Sequence, residues 1–406
     1  MIEDLDSELE KTNSEAIIII GDSTSGNPSL AYVCGVTVPR GGVYIKKVGE
    51  DPVLVVGDLD TANAQRGLVK RVYPTSKYNL SKLAKENGLK EAYVVIYDQI
   101  LKEFGGAKGV VLAGKIEAGQ AIDISRRMVK RGYKIVADPD LVDKVRRTKS
   151  SRELDIINEV ARKTEDVVRA TLLMLRECSI KGNTLQNPFE SGKALTVGNV
   201  KQFINLRLAE RNLIAVFDTI FAPGPDGADP HNHGTSGRKV TTGTPIVFDI
   251  FPRDIESGYC FDTTRTFTIG KASDEIKKMH EDVLTAQEAA LEQIMANSNG
   301  KKISTSVCNI LAKRGHKTPL FYMENPGMPM KEGYIHGLGH GVGLTIGEPP
   351  YLSLLREEEV LKVGDVVTVE PGVYYPNKWG IRIEDTVAVQ NKGLRNFSTL
   401  EKNLEL

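Results

Sequence analysis

The sequence has no apolar run long enough to cross a bilayer: stretches such as Ala16–Ile20 fall far short of the roughly 20 residues a spanning helix needs. It is poor in cysteine, with only Cys34, Cys178, Cys260 and Cys308, far apart and without a CxxC pair. Excess charge of one sign is also missing. Lys+Arg and Asp+Glu each total 53, which removes the bulk electrostatic reason to expect nucleic acid or an anionic membrane as partner. Met1 is followed by Ile2-Glu3-Asp4 rather than by a basic, apolar leader. No low-complexity segment and no short solenoid-like repeat is visible. These absences point to a protein of the reducing cytoplasm that acts on a small ligand.

What is present is an ordinary globular composition, 40% hydrophobic and 26% charged over 406 residues, enough for a large core and two domains. From Ala16 to about Ala137, short runs with strand character (Ala16–Ile20, Gly42–Val48, Pro52–Val56, Tyr93–Tyr97, Gly109–Leu112, Lys134–Val136) alternate with helical stretches such as Leu80–Glu86 and Glu117–Lys130. That alternation is α/β grammar. At VRRTKSSRE the pattern changes, and Ser151 can cap a long amphipathic helix with Leu154, Ile157, Val160 and Ala161 on one face. The domain boundary is therefore expected near residue 147, giving domains 1–147 and 148–406. The second domain reads as α+β with antiparallel pairs. Its helices are expected near Glu153–Glu177, Asn199–Arg211, Asp274–Met295 and Ser304–Arg314, and its strands near Pro245–Phe251, Tyr259–Ile269, Val366–Val373 and Gly380–Val389.

Four acids sit where strands should be apolar. Asp249 interrupts PIVFDIF, and an unpaired carboxylate buried there is costly. Thirteen residues on, YCFDTTRTF carries Asp262, and an antiparallel pairing can set the two side by side. Like charges that close repel unless a cation or proton lies between them. Taken alone, the plainer reading has one aspartate capping a turn and the other pairing with Arg265. Glu370 in VVTVEPGVYY and Glu384 in GIRIEDTVAV repeat the pattern. His336 and His340 lie in YIHGLGHGVGLTIGEPP, whose glycines argue against a helix and for closely packed backbone; the spacing does not fit a GxGxxG phosphate loop. A buried histidine satisfied by backbone is the bland reading for either one. One imidazole with four carboxylates makes an oxygen-rich site suited to two divalent ions such as Mn, Co, Fe or Zn, roughly 3.5–4 Å apart.

The blocks FDTIFAPGPDGADPH, IVFDIF, DTTRTF, HGLGHGVG, VEPGVYY and IRIEDTV, in this order over roughly residues 150–390, resemble those of the M24 metallopeptidases, a family with the pita-bread fold. The N-terminal region resembles the creatinase-like domain that precedes the catalytic domain in the Xaa-Pro dipeptidase and aminopeptidase P branch. The resemblance implies Asp249 as ligand of one metal, Asp262 and Glu384 as bridges, and His340 with Glu370 on the second metal. It implies Glu370 as the proton shuttle, His231 as a substrate contact near the scissile bond with His233 as its alternative, His336 at the pocket wall, and Arg382 beside the bridging glutamate. A plain ion pair of Arg382, to Asp385 for example, is the simpler reading of that residue. The implied activity is hydrolysis of Xaa-Pro peptide bonds in small peptides, and the implied assembly a homodimer.

Two departures from the family pattern stand out. The Asp249–Asp262 connection is about two residues longer, an even number that preserves the face each side chain takes. The family's GHGVGxxxHE reads GHGVGLTIGE here, so Gly347 replaces a histidine that helps stabilise the tetrahedral intermediate. No arginine directly follows Glu348 to clamp a dipeptide carboxylate, which favours an aminopeptidase over a dipeptidase. A creatinase-like C–N hydrolase, or a binding protein that has lost the reaction, are the alternatives that Gly347 keeps open.

Overall fold

The computed structural model describes residues 2–406. The chain divides into two compact units, and the division falls between Arg146 and Arg147.

The first unit is built on a six-stranded sheet of β1 (Ala16–Gly21), β2 (Gly42–Lys47), β3 (Val53–Val56), β4 (Arg71–Pro74), β5 (Gly109–Ala113) and β6 (Lys134–Val136), in the order β4-β3-β2-β1-β5-β6. The pairs β1–β5, β5–β6 and β3–β4 are parallel, and β1–β2 and β2–β3 antiparallel. All six residues of β1 are buried, which is why AIIIIG shows no alternation: both faces of the strand are covered. Tyr93–Tyr97, expected as a strand, lies instead inside a helix, Leu89–Glu103. The side chains buried along it include Ala92, Ile96 and Ile100, four apart, and Val94, Tyr97 and Leu101, at spacings of three and four. Packing of that helical stripe against the sheet outweighs the strand preference of YVVIY.

The second unit opens with a 27-residue helix, Ser151–Glu177. Ser150, not Ser151, caps it. The Ser150 hydroxyl accepts from the Glu153 N–H, and the Glu153 carboxylate accepts from the Ser150 N–H at 2.8 Å, a reciprocal capping box. A small hairpin, β7 (Ile180–Lys181) with β8 (Thr184–Leu185), leads to a second helix, Val197–Ala209, and to β9 (Leu213–Ala215). Two sheets then carry the acidic residues. The first is antiparallel, β10 (Ile220–Pro223), β11 (Pro245–Ile250) and β13 (Thr263–Thr268), in the order β10-β11-β13. The connection from β11 to β13 is no tight hairpin. It contains its own strand, β12 (Pro252–Asp254), paired to β9.

The second sheet orders β14 (Gly339–Val342), β15 (Ile346–Leu352), β16 (Val366–Val369), β19 (Asp385–Val389) and β20 (Leu394–Asn396) as β15-β14-β16-β19-β20. Between β16 and β19 runs a separate hairpin, β17 (Gly372–Tyr375) with β18 (Trp379–Arg382). The stretches expected as single strands at Val366–Val373 and Gly380–Val389 are thus each broken, at Glu370-Pro371 and at Ile383-Glu384. Pro371 cannot donate to a ladder, which accounts for the first break. Helices Asp274–Leu291 and Gly300–Lys313 contribute Val283, Ala286, Ala290, Val307 and Leu311 to the core beneath Val367, Val369, Ile381 and Ile383. No helix among the described residues is long and apolar enough to cross a membrane.

Candidate metal centre

The strand register explains how residues up to 135 positions apart converge. Asp249 lies in β11 opposite Thr264, and Asp262 directly precedes β13 on the partner strand. Val369 pairs with Asp385, so Glu370 and Glu384 stand opposite each other one step beyond the last β16–β19 pair. The two sheets meet at an antiparallel bridge of Thr264 with Glu384, where the Glu384 N–H donates to the Thr264 carbonyl at 3.0 Å. His340, in β14, enters from the other side of β16. Close main-chain approach demands the neighbouring glycine: a Cβ on Gly339 would lie 1.9 Å from the Thr368 carbonyl oxygen.

The geometry is that of a cluster. His340 Nε2 is 3.5 Å from Glu370 Oε1 and 3.8 Å from Asp262 Oδ2. One ligand atom each of Asp262, His340 and Glu384 lies within 4.8 Å of the others. Asp249, Asp262 and Glu384 are buried, whereas the His340 and Glu370 side chains keep 23% and 18% exposure, so the cluster opens on their side. Burial raises the Asp262 carboxyl well above its ordinary range, and the neighbouring charges of Glu384, Asp249 and Glu370 push it further. Glu384 is raised well above its ordinary range by burial, then by Glu370 and Asp249. Burial lifts Glu370 from 4.5 to about 8 against the opposing pull of Arg382.

The four acids crowd like charge into one cluster, and such crowding is relieved by a cation or by protons. Asp249 Oδ1 and Asp262 Oδ1 are both buried with no hydrogen-bond partner. A buried acceptor left unpaired costs about 1–3 kcal/mol, more if it is charged. Three of the other oxygens are held in place by the protein. Arg382 Nη2 donates to Asp249 Oδ2 at 2.6 Å, the Thr264 hydroxyl donates to Glu384 Oε2 at 2.7 Å, and Thr368 donates to Glu370 Oε1 at 3.3 Å. His340 Nδ1 is 3.2 Å from the Gly341 carbonyl and 3.3 Å from the Gly347 N–H. Ligation through Nε2 requires the proton on Nδ1, donated to Gly341. Oxygen-rich donors with one imidazole fit hard to borderline divalent ions.

A second network flanks the cluster. Arg382 Nη1 donates to the Tyr374 hydroxyl at 2.7 Å, and that hydroxyl meets His336 Nε2 at 3.0 Å. His336 Nδ1 is 2.7 Å from the Gly337 carbonyl, so Nδ1 carries the proton and Nε2 accepts from Tyr374. Burial, then the Arg382 charge, lowers the imidazole to about 3, which keeps it neutral. The ion pairs differ from the plain readings. Arg382 pairs with Asp249, and Asp385 takes Arg265 at 2.8 Å and Lys402 at 2.7 Å.

His231 is exposed, and Arg382 Nη1 reaches the carbonyl of its chain neighbour Pro230 at 3.5 Å. His233 turns elsewhere: its Nδ1 bonds the Asp218 carbonyl, and no hydrogen bond or ion pair among the described residues joins it to the four acids and His340. Gly347 has φ +81° with open space where a side chain would start, and its carbonyl accepts from the Tyr351 hydroxyl at 2.8 Å. The Arg356 guanidinium stacks on that Tyr351 ring, 5.0 Å from its centroid. Thr264, Thr368 and Tyr374 escaped sequence reasoning, although each lies within a block that also carries a ligand candidate.

Residues 155–391 match the model of metallopeptidase family M24. The chain belongs to this family. Among M24 relatives, the Xaa-Pro dipeptidase of Pyrococcus horikoshii is 26% identical over 396 residues, 98% of this chain and 96% of that protein. An uncharacterised peptidase of Methanocaldococcus jannaschii is 30% identical over 282 residues, 68% of this chain and 70% of the other. The fold is shared with solved structures: the Xaa-Pro dipeptidase from Bacillus anthracis has a TM-score of 0.78 at 23% identity, covering 100% of this chain and 99% of that one. The X-Pro aminopeptidase from Thermotoga maritima gives 0.77 at 24% identity, with 98% and 100% covered. An α/β first unit followed by a pita-bread unit is the fold of this M24 metallopeptidase.

Proposed function

We propose that this M24 metallopeptidase removes the N-terminal residue from small peptides whose second residue is proline, with two divalent metal ions bound by Asp249, Asp262, His340, Glu370 and Glu384. The observation that carries the reading is the pair of orphaned, buried oxygens, Asp249 Oδ1 and Asp262 Oδ1, within a cluster of acids whose charges repel. Bound there, the ions supply Lewis-acid polarisation of the scissile carbonyl and lower the pKa of water to the neutral range. The residues do the rest. Asp249, Asp262, His340, Glu370 and Glu384 would hold the ions, with the carboxylates supplying the compensating negative charge. Glu370, on the open side, accepts a proton at its carboxylate and passes it to the leaving nitrogen. Arg382 holds Asp249 in position and, through Tyr374, fixes the ring of His336, which burial keeps neutral, at the wall of the opening. His231, exposed next to the Pro230 whose carbonyl Arg382 reaches, is the proposed substrate contact near the scissile bond.

Proline supplies a reason for a dedicated enzyme. Its tertiary amide has no N–H and a fixed φ, so proteases that grip an extended backbone lose contacts. Curated relatives named Xaa-Pro dipeptidase, matched over nearly the whole chain, support this substrate class. Two copies of the chain are proposed to associate, which sedimentation of the pure protein tests. The function itself is tested with Xaa-Pro dipeptides and longer Xaa-Pro peptides after metal loading. Release of the first residue from both, dependent on the metal, is the expected result. Creatine serves as the control, since its hydrolysis in place of the peptides would move the assignment to a C–N hydrolase.

A further inference from the structure

Both glutamates of the cluster sit at strand breaks. β16 ends at Val369 before Glu370, and β18 ends at Arg382, two residues before Glu384. A break takes carbonyl groups out of the ladder, and buried carbonyls need donors. The carbonyls just ahead of the two glutamates, those of Val369 and Ile383, share one donor. Gln287 Nε2 donates to the Val369 oxygen at 3.1 Å and to the Ile383 oxygen at 3.2 Å. The amide orientation follows from chemistry, because a flipped group would set its oxygen against two carbonyl oxygens.

Gln287 is an unexpected residue at its place. It is fully buried on helix Asp274–Leu291, in company with Val283, Ala286 and Ala290. Its own Oε1 is buried without a partner. A core position therefore keeps a polar group with one end unsatisfied, where an apolar side chain would satisfy packing alone. The two hydrogen bonds are what the amide gives in return. They tie to one point on a rigid helix the two peptide groups from which Glu370 and Glu384 project.

We infer that Gln287 is a positioning residue of the metal centre, fixing the separation of the Glu370 and Glu384 backbones so that their carboxylates are set before a cation arrives. The inference rests on the metal-centre reading above. Groups that orient ligands from behind commonly change metal affinity or activity by about 10–100-fold when altered.

The test uses the full chain, stripped of metal, and titrated with Co2+, whose visible absorption reports ligand geometry. Gln287→Met keeps the length of the side chain and removes both donors. The expected result is a Co2+ dissociation constant about 10–100-fold weaker than wild type, with a shifted absorption band, in a variant whose circular dichroism is unchanged. A Gln287→Met protein that binds Co2+ with the wild-type constant and spectrum overturns the inference, even if its melting temperature falls, because the amide then serves stability alone. If that variant is insoluble, Gln287→Glu, of the same shape with one donor group replaced by oxygen, is read in the same way. A wild type that binds no Co2+ removes the metal-centre reading and this inference together; a wild type that binds, beside a variant that matches it, removes only the inference.

Discussion

Asp262→Asn separates a metal ligand from a structural acid by the sign of its effect. In the metal-free chain Asp262 is buried among Glu384, Asp249 and Glu370, and its carboxyl is driven toward the protonated form. Asparagine is the neutral isostere of that form. The substitution therefore relieves repulsion in the metal-free protein, by about 1–2 kcal/mol if it behaves as an ordinary single-site change. For a unit of this size that is roughly 2–8 °C of melting temperature, upward. In the metal-loaded protein the sign reverses. An ion present at about 100 times its dissociation constant stabilises the fold by about 2.7 kcal/mol, roughly 5–11 °C, and the variant forfeits most of it with the shared carboxylate. The assay is a thermal melt of wild type and variant, each with chelator and with Mn2+. The curves are expected to cross: the variant is the more stable protein in chelator and the less stable in Mn2+. A variant destabilised equally in both conditions would show that Asp262 supports the fold and not a cation.

Protonation gives a second expectation. Glu370 rises from 4.5 to about 8, with Asp262 and Glu384 also raised, so the metal-free folded state binds more protons than the unfolded chain up to about pH 8 and loses stability as pH rises through that range. His336, lowered from 6.5 to about 3, and His280, lowered to about 4, act in the opposite sense, but only below their unfolded value of 6.5. Between pH 6.5 and 8 the opposing effect of these two histidines fades, and melts should show the metal-free protein weakening by an amount on the order of a few kcal/mol while the Mn2+ form stays level; a flat metal-free profile contradicts this. His231→Ala should lower kcat by about 10²–10³-fold on an Xaa-Pro peptide, the effect of losing one donor to a developing oxyanion, and an unchanged kcat removes His231 from the reaction. Gly347→His should cost about 1–3 kcal/mol of stability, since φ is +81° there, and should not raise turnover; a faster variant would show that the missing imidazole limits this enzyme.

Much of the site was legible because its chemistry conflicts with its surroundings. An acid inside PIVFDIF or GIRIEDTVAV violates strand patterning, and the structure gathers Asp249, Asp262, Glu370 and Glu384 around His340. The departure at Gly347 was equally plain. Helix boundaries followed periodicity and caps, with Ser150 displacing Ser151 by one residue. Other features depend on what lies across the fold. YVVIY became helical because its stripe packs on a sheet, a tertiary effect local propensity does not contain. Arg382 and Arg265 each had several acids within plausible reach, and only the three-dimensional register assigns Asp249 to one and Asp385 to the other. Gln287 gave no signal beyond a polar residue on an apolar helix face, and its role lies in two carbonyls 82 and 96 residues away.

This metallopeptidase is proposed to work through ions held by the five clustered residues, and the most direct test is hydrolysis of one Xaa-Pro peptide by the exhaustively chelated chain before and after Mn2+ is returned. No release of the N-terminal residue is expected in chelator, with recovery on adding the ion and none in Asp262→Asn. Full turnover by metal-free protein, or none under any of Mn, Co, Fe or Zn, would contradict it.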